Sequence, residues 1–564
     1  MSDVQSIRHL LLALNNSSIN KSAITESQAL NNIVYFLPRI TDPEILAQLI
    51  HALFHWTPQH LTIWEGFEAA SAIMKWKLEI SEPRLRIDKF VLAWKQEIEL
   101  CSVLNLYQLA TVAGLISCRH QLDNLQEHLF IDDSGTASEE LKDIRFRHFM
   151  PYWKQYMSLS RDDYQLVDDL CTLYSMVHSQ SDHGIPHELV FQSLFNILIE
   201  YIRTDNRQDV GPNSFAHKHL NLICKACEHS IAHVRDHNLL MNKLNELKQT
   251  MEDLSEKEAL SGEKDYTEKY YVNTLFAVVL VLCGYQPTNT SVRAMALTLF
   301  HSSFILHDFG TDGFTKYREL IFSVCSFTCK EFVLFDQILK EMLTKMQFVM
   351  QNKVYHSKMI FVMEFLQLNL AELKIPNAQY LEKCIEPLIG PFLDSADVSL
   401  RESAQLSWLE MFNNESWNTD VRNFKLKRLR CYLSDCFQQY KDGLMTEEQL
   451  VLIWKTLSPT IKYLSNFDHD LIRDLIHMTY RRMINTENLE MKSVSIYCLI
   501  EQLYNVTDDY LWHWLDTCYE FLNGVPPTMK EAVITKLWEY TSHSHNEVAI
   551  RWWYDRVVPN LSRI

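Results

Sequence analysis

Apolar residues return along this chain at intervals of three and four. Leu46, Leu49, Ile50, Leu53 and Phe54 fall at i, i+3, i+4, i+7 and i+8, one face of a helix. Before them, Thr41-Asp42-Pro43-Glu44 supplies a cap, a proline suited to the first turn and an acid near the positive end of the helix dipole. Pro58 is the next breaker. The same period predicts helices over 88–101, 103–117, 164–178, 188–203 and 330–350. Further helices are predicted over 355–372, 397–412, 446–457, 468–484, 490–504 and 528–541. No stretch alternates with period two, so the expected class is all-α.

Three segments share a finer pattern: NTSVRAMALTL (289–299), DVSLRESAQL (397–406) and DHDLIRDLIH (468–477). In each, an apolar residue precedes an arginine, and a small or apolar residue follows three positions on. This resembles the second helix of a HEAT repeat, with the arginine at the helix start and the apolar pair facing inward. Arg293, Arg401 and Arg473 lie 108 and 72 residues apart, both multiples of 36, close to the period of about 40 residues of such repeats. The expected architecture is an irregular α-solenoid of HEAT-like helical hairpins. Polar, turn-rich stretches at 131–143 and 203–214 read as loops. Residues 246–268 are densely charged and read as a solvated helix end plus an insertion, either a boundary or a long loop in one stack. The expected organisation is an amino-terminal solenoid half (1–245), this charged loop or insertion (246–268) and a carboxyl-terminal solenoid half (269–561).

Composition supports helices. The 564 residues include 12 glycines and 15 prolines, against roughly 7% glycine in ordinary proteins. Hairpins and phosphate-cradling loops need glycine, so barrels, sandwiches and Rossmann enzymes are disfavoured. A net charge of −18 opposes nucleic acid and anionic membrane surfaces as partners. The longest basic tract, Lys425 to Arg430, reads as a solvated helix face. The 13 cysteines are scattered singly through apolar stretches, as with Cys171, and so read as buried free thiols in a reducing compartment. The apolar run HLLLAL near the start is too short for a secretory signal. LFAVVLVLCGY (275–285) is too short to cross about 30 Å of hydrocarbon, and reads as a core helix. A soluble or peripheral protein is expected.

Phosphate loops, dinucleotide fingerprints, zinc-protease, serine-hydrolase and EF-hand motifs are all missing. The carboxylate pairs Asp132-Asp133 and Asp162-Asp163 sit in polar surroundings and read as caps or surface charge. Residues 217–237 hold His217, His219, Cys224, Cys227, His229, His233 and His237. On a helix turning about 100° per residue, the two cysteines point one way and His229, His233 and His237 roughly the other. Tetrahedral zinc needs convergent ligands, so this string reads as buried cysteines with exposed histidines. The expectation is no metal, no cofactor and no enzyme. Trp552-Trp553-Tyr554 reads as packing at the end of the helical stack.

The last residues, Ser562-Arg563-Ile564, resemble the carboxyl-terminal peroxisomal address SKL. Isoleucine departs from its leucine, since a β-branch changes the fit to a leucine-shaped pocket. Longer strings point the same way: VYFLPRI (34–40), WKLEISEP (76–83), KFVLAW (89–94) and LFIDDS (129–134). So do IEPLI (385–389), LIRDLIHMTYRRMIN (471–485) and AIRWWY (549–554). In this order they resemble segments of the eighth-peroxin family of yeasts. The resemblance implies a non-catalytic import factor, peripheral on the matrix side of the peroxisomal membrane. Its implied partners are the cycling receptor for carboxyl-terminal signals and the docking-complex and RING-finger-complex peroxins, with a role in cargo release. It also assigns Ser562, Arg563 and Ile564 as the receptor-binding targeting signal. A second, amino-terminal type of signal found in some members has no clear copy here, since Arg8 is followed by His9. The competing expectation is a cytosolic, karyopherin-like α-solenoid adaptor for basic cargo, which has no use for that tripeptide.

Overall fold

Side chains write many of the helix starts. Asp42 accepts from the amides of Glu44 (2.8 Å) and Ile45 (3.4 Å), with Pro43 opening the helix Pro43–Phe54. Thr25, Thr62, Asn105 and Thr446 close reciprocal capping boxes with Gln28, Glu65, Gln108 and Gln449. Each such cap is worth about 1 kcal/mol. The computed structural model describes residues 3–15, 25–56, 58–80, 85–129, 135–160, 162–204, 214–261, 264–310, 314–346, 352–414, 418–523 and 526–563. Among these no residue is in a strand, and the fold is all-α as expected.

The chain forms two units, one from Met1–Leu254 and Asp265–Gln286, the other from Ser255–Lys264 and Pro287–Ile564. In the first, Ile63–Glu79 packs along Leu106–Ser117, which packs on Tyr164–Val177. Tyr164–Val177 meets His187–Thr204 and Leu220–Ile231, and the latter meets Lys269–Cys283. A Cβ at Gly114 would stand 2.3 Å from the Phe67 carbonyl oxygen, so only glycine allows that first close approach. In the second unit a row runs from Ser291–Phe309 to Lys353–Leu370, Val398–Asn413, Glu447–Ser465, Leu489–Gln502 and Pro527–Ser544, each packed on the next.

The arginines of the shared pattern stand in the first turn of Ser291–Phe309, Val398–Asn413 and Leu471–Asn485. Their partners differ: Arg293 pairs with Glu341 (2.5 Å), Arg401 donates to the Ser395 carbonyl (2.5 Å) and Arg473 pairs with Asp470 (2.9 Å). The inward pairs Val292/Ala296 and Leu400/Ala404 are buried.

Three local expectations change. Gly135–Ile144 is helical inside the stretch expected as a loop, while 130–134 and 205–213 lie outside the described residues. Residues 246–260 continue the helix His237–Leu260, because Leu244, Leu247, Met251 and Leu254 give it a buried face beneath its charges. The helix expected to stop at 457 runs to Ser465 through Pro459. Pro459 and Lys455 are both exposed, so water reaches the carbonyl that the proline leaves free. Lys269–Cys283 is the buried core helix expected at 275–285. Among the described residues, no helix is long and apolar enough to cross a membrane.

Candidate functional site

Of the three residues expected to form the targeting signal, Ser562 and Arg563 end a short 3₁₀ segment, Val558–Arg563, and Ile564 lies outside the described residues. The segment before it is anchored. Trp552, Trp553 and Val557 are buried in a core shared with Leu511, Leu515, Val533 and Leu537, whereas Tyr554 is exposed. The Trp552 indole donates to Asp516 (2.7 Å), and Arg556 grips the same carboxylate through Nε (3.2 Å) and Nη2 (3.0 Å). Arg556 and Trp552 together hold that carboxyl below its usual range, against its burial.

The basic tract is not the freely solvated face expected. Lys425 is buried and donates to the Asn414 carbonyl. Arg428 pairs with Glu386 (2.8 Å), and Arg430 with Asp468 (2.7 Å) and Asp474 (3.1 Å). Phosphate would have to displace acceptors already in place. Asp163 caps Tyr164–Val177 by accepting from Leu166 (3.2 Å), as its surroundings predict; Asp132 and Asp133 lie outside the described residues. Sequence reasoning missed Asp169, whose carboxyl burial pushes up to about 6.

The cysteine and histidine string divides as helical geometry requires. Leu220–Ile231 drives Cys224 and Cys227 into the core, each 1% exposed. Burial pushes the Cys224 thiol up to about 12 and Cys227 well above its ordinary value. His217 is buried against Tyr201, and His219 packs on Phe215. His229 and His233, however, are not simply exposed. The start of His187–Thr204 brings His187 against them, with its ring 4.6 Å from that of His233 at 18° and 5.6 Å from that of His229. One ligand nitrogen from each of the three lies within 4.8 Å of the other two. His178 stands behind, its ring 5.6 Å from His229. Burial, then neighbouring imidazoles, lowers His178 and His187 to about 4, and lowers His229 as well.

Beneath this cluster Asp182 is buried. It accepts from Arg145, from the Tyr174 hydroxyl (3.1 Å) and from the Ser179 amide (3.0 Å). Arg145 also donates to the Val177 carbonyl (2.7 Å). This pair clamps the turn that carries His178 toward His187. Above it opens a cleft of about 810 Å³, whose lining includes Lys154, His187, Glu188, His233 and Arg235. No local pattern connects His187 with His229, 42 positions later; only the fold does.

Two other groups are chemically quieter. His51 Nδ1 (2.7 Å) and His55 Nε2 (2.9 Å) share one oxygen of the buried Glu97. In the second unit, Lys455, Lys462, Lys536, Glu501 and Glu539 line a groove of about 600 Å³, with Lys536 already 3.4 Å from Glu501.

The described residues thus form an all-α protein of packed helices; nine of its cysteines are buried as expected, but Cys101, Cys283 and Cys384 are half-buried and Cys431 is exposed, because it falls on the solvent side of its helix. Comparison with known proteins places it more closely. Residues 423–563, which include the anchored carboxyl-terminal core, match the PEX8 C-terminal domain family. The chain is 26% identical over 572 residues to Peroxisomal biogenesis factor 8 of Saccharomyces cerevisiae, covering 94% of each protein. The resemblance to the eighth peroxins read from the short strings is borne out along the chain.

Proposed function

We propose that this chain is a peroxisomal biogenesis factor acting in matrix protein import. In this reading it is a non-catalytic scaffold on the inner face of the peroxisomal membrane. It links the docking and RING-finger complexes, binds the cycling receptor for carboxyl-terminal signals and aids release of its cargo. The observation that carries the reading is the similarity to Peroxisomal biogenesis factor 8 over 94% of both chains. Rows of packed helices support it, since they offer long faces on which several modest contacts can add. Peripheral attachment through protein partners is compatible with the lack of any membrane-crossing helix among the described residues. Ser562, Arg563 and Ile564 would serve as the receptor-binding signal.

The test is an amino-terminal fluorescent fusion compared with the same fusion lacking residues 562–564. The intact fusion is expected in peroxisomes and the truncated one in the cytosol. An intact fusion that stays diffuse in the cytosol overturns the reading and favours the adaptor. If both reach peroxisomes, the tripeptide is dispensable and import uses an internal site or a carried partner.

A further inference from the structure

The cleft of the first unit holds an arrangement that import scaffolding does not require. Three imidazoles, from two helices and the turn after one of them, meet at one end of it, and their nitrogens pose a hydrogen-bonding problem. His233 Nδ1 lies 2.9 Å from the carbonyl of His229. A carbonyl can only accept, so Nδ1 carries a proton, and in the neutral ring Nε2 is a lone pair. His229 Nε2 and His187 Nδ1 are buried and have no hydrogen-bond partner. The two buried nitrogens therefore lack a donor or acceptor, while the exposed His233 ring is open to water. Buried polar atoms left unpaired cost about 1–3 kcal/mol each, so they rarely persist without a purpose.

We propose that His187, His229 and His233 form a site for one divalent transition-metal ion, of which Zn²⁺ is the best match. Neutral imidazole is a ligand such ions favour, and three histidines with an open fourth position make a recognised zinc arrangement. Bonds of about 2.0–2.1 Å to zinc put tetrahedral nitrogens about 3.4 Å apart. The three ligand atoms already lie within 4.8 Å of one another. His233 is exposed in the turn after its helix, so its ring has room to adjust. The His229 carbonyl is the outer partner that fixes the His233 tautomer, as carbonyls do for many metal-bound histidines. The Arg145–Asp182 clamp fixes the turn preceding His187, so the site is supported from beneath. His187 and His233 both line the cleft, which leaves the fourth position to water or to a donor group entering it. The His51/His55 pair is different, because there both nitrogens already contact Glu97.

The experiment uses the full chain, stripped by a chelator and dialysed. Zn²⁺ alone is titrated by calorimetry, and Co²⁺ is followed by its visible absorption. The expected result is one ion per chain. His187→Gln and His233→Gln should each weaken Zn²⁺ binding at least tenfold and abolish the Co²⁺ bands. Joint Cys224→Ser and Cys227→Ser replacement, and joint His51→Gln and His55→Gln replacement, should leave both signals unchanged. Absence of saturable binding by the intact chain overturns the proposal. So does binding that is lost with the cysteines, or with His51 and His55, and kept without His187. Should His187→Gln fail to fold by circular dichroism, the exposed His233→Gln variant decides.

Discussion

The carboxyl-terminal core and the histidine cleft of the first unit both bury polar groups, but in opposite ways. In the core, Trp552, Asp516 and Arg556 satisfy one another at 2.7–3.2 Å around a mass of apolar side chains. At and beneath the cleft, His178 Nε2, His187 Nδ1, His229 Nε2 and Asp182 Oδ1 are buried without partners. The first pattern is what stability alone produces. The second keeps unsatisfied groups concentrated where two helices and a turn meet, and a well-packed interior tolerates that only locally. The matched family domain, residues 423–563, includes the carboxyl-terminal core, and the histidines lie before it.

The largest expected effect is on the core. Trp552→Ala removes a fully buried indole and its bond to Asp516, and should cost about 3–5 kcal/mol in denaturant unfolding of the second unit. A loss below about 1 kcal/mol would mean that the final helix is not integral to that core. On the cleft side, Asp182→Asn leaves Arg145 buried without its counter-charge, and should cost about 3 kcal/mol. Joint replacement of Arg145 and Asp182 by apolar residues should cost less than the single change; a larger cost would show that the pair stabilises beyond its own desolvation. Next is the glycine approach: Gly114→Ala forces a methyl against the Phe67 carbonyl, and should cost about 1–3 kcal/mol. Unchanged stability would mean the two helices separate freely.

The smallest effect concerns Asp169. Its folded-state pKa is raised to about 6 by burial, against about 3.9 in the unfolded chain. The folded state therefore binds more protons between those values, and stability falls as pH rises through that window. Asp169→Asn should stabilise more at pH 7 than at pH 4, as thermal melts at both would show. An equal change at both would exclude the carboxyl as a source of pH dependence.

The helical period made the fold class readable, and capping chemistry marked the start at Asp42. Ends were harder to read. The helix expected over 446–457 runs on through Pro459 to Ser465, and the charges of 246–260 hid the apolar face of a helix. At the candidate site, the divergence of Cys224 and Cys227 from His229 and His233 followed from 100° per residue. The convergence of His187 on the two histidines did not, because nothing local links positions in separate helices. The exposed fate assigned to the basic tract failed for a similar reason: the acceptors of Arg428 and Arg430 lie 38–44 residues away.

The import reading is tested most directly in cells lacking this chain. A fluorescent marker ending in Ser-Lys-Leu should be peroxisomal in normal cells, cytosolic without the chain, and peroxisomal again when the full chain is restored. A marker that still enters peroxisomes in the chain's absence would contradict the account.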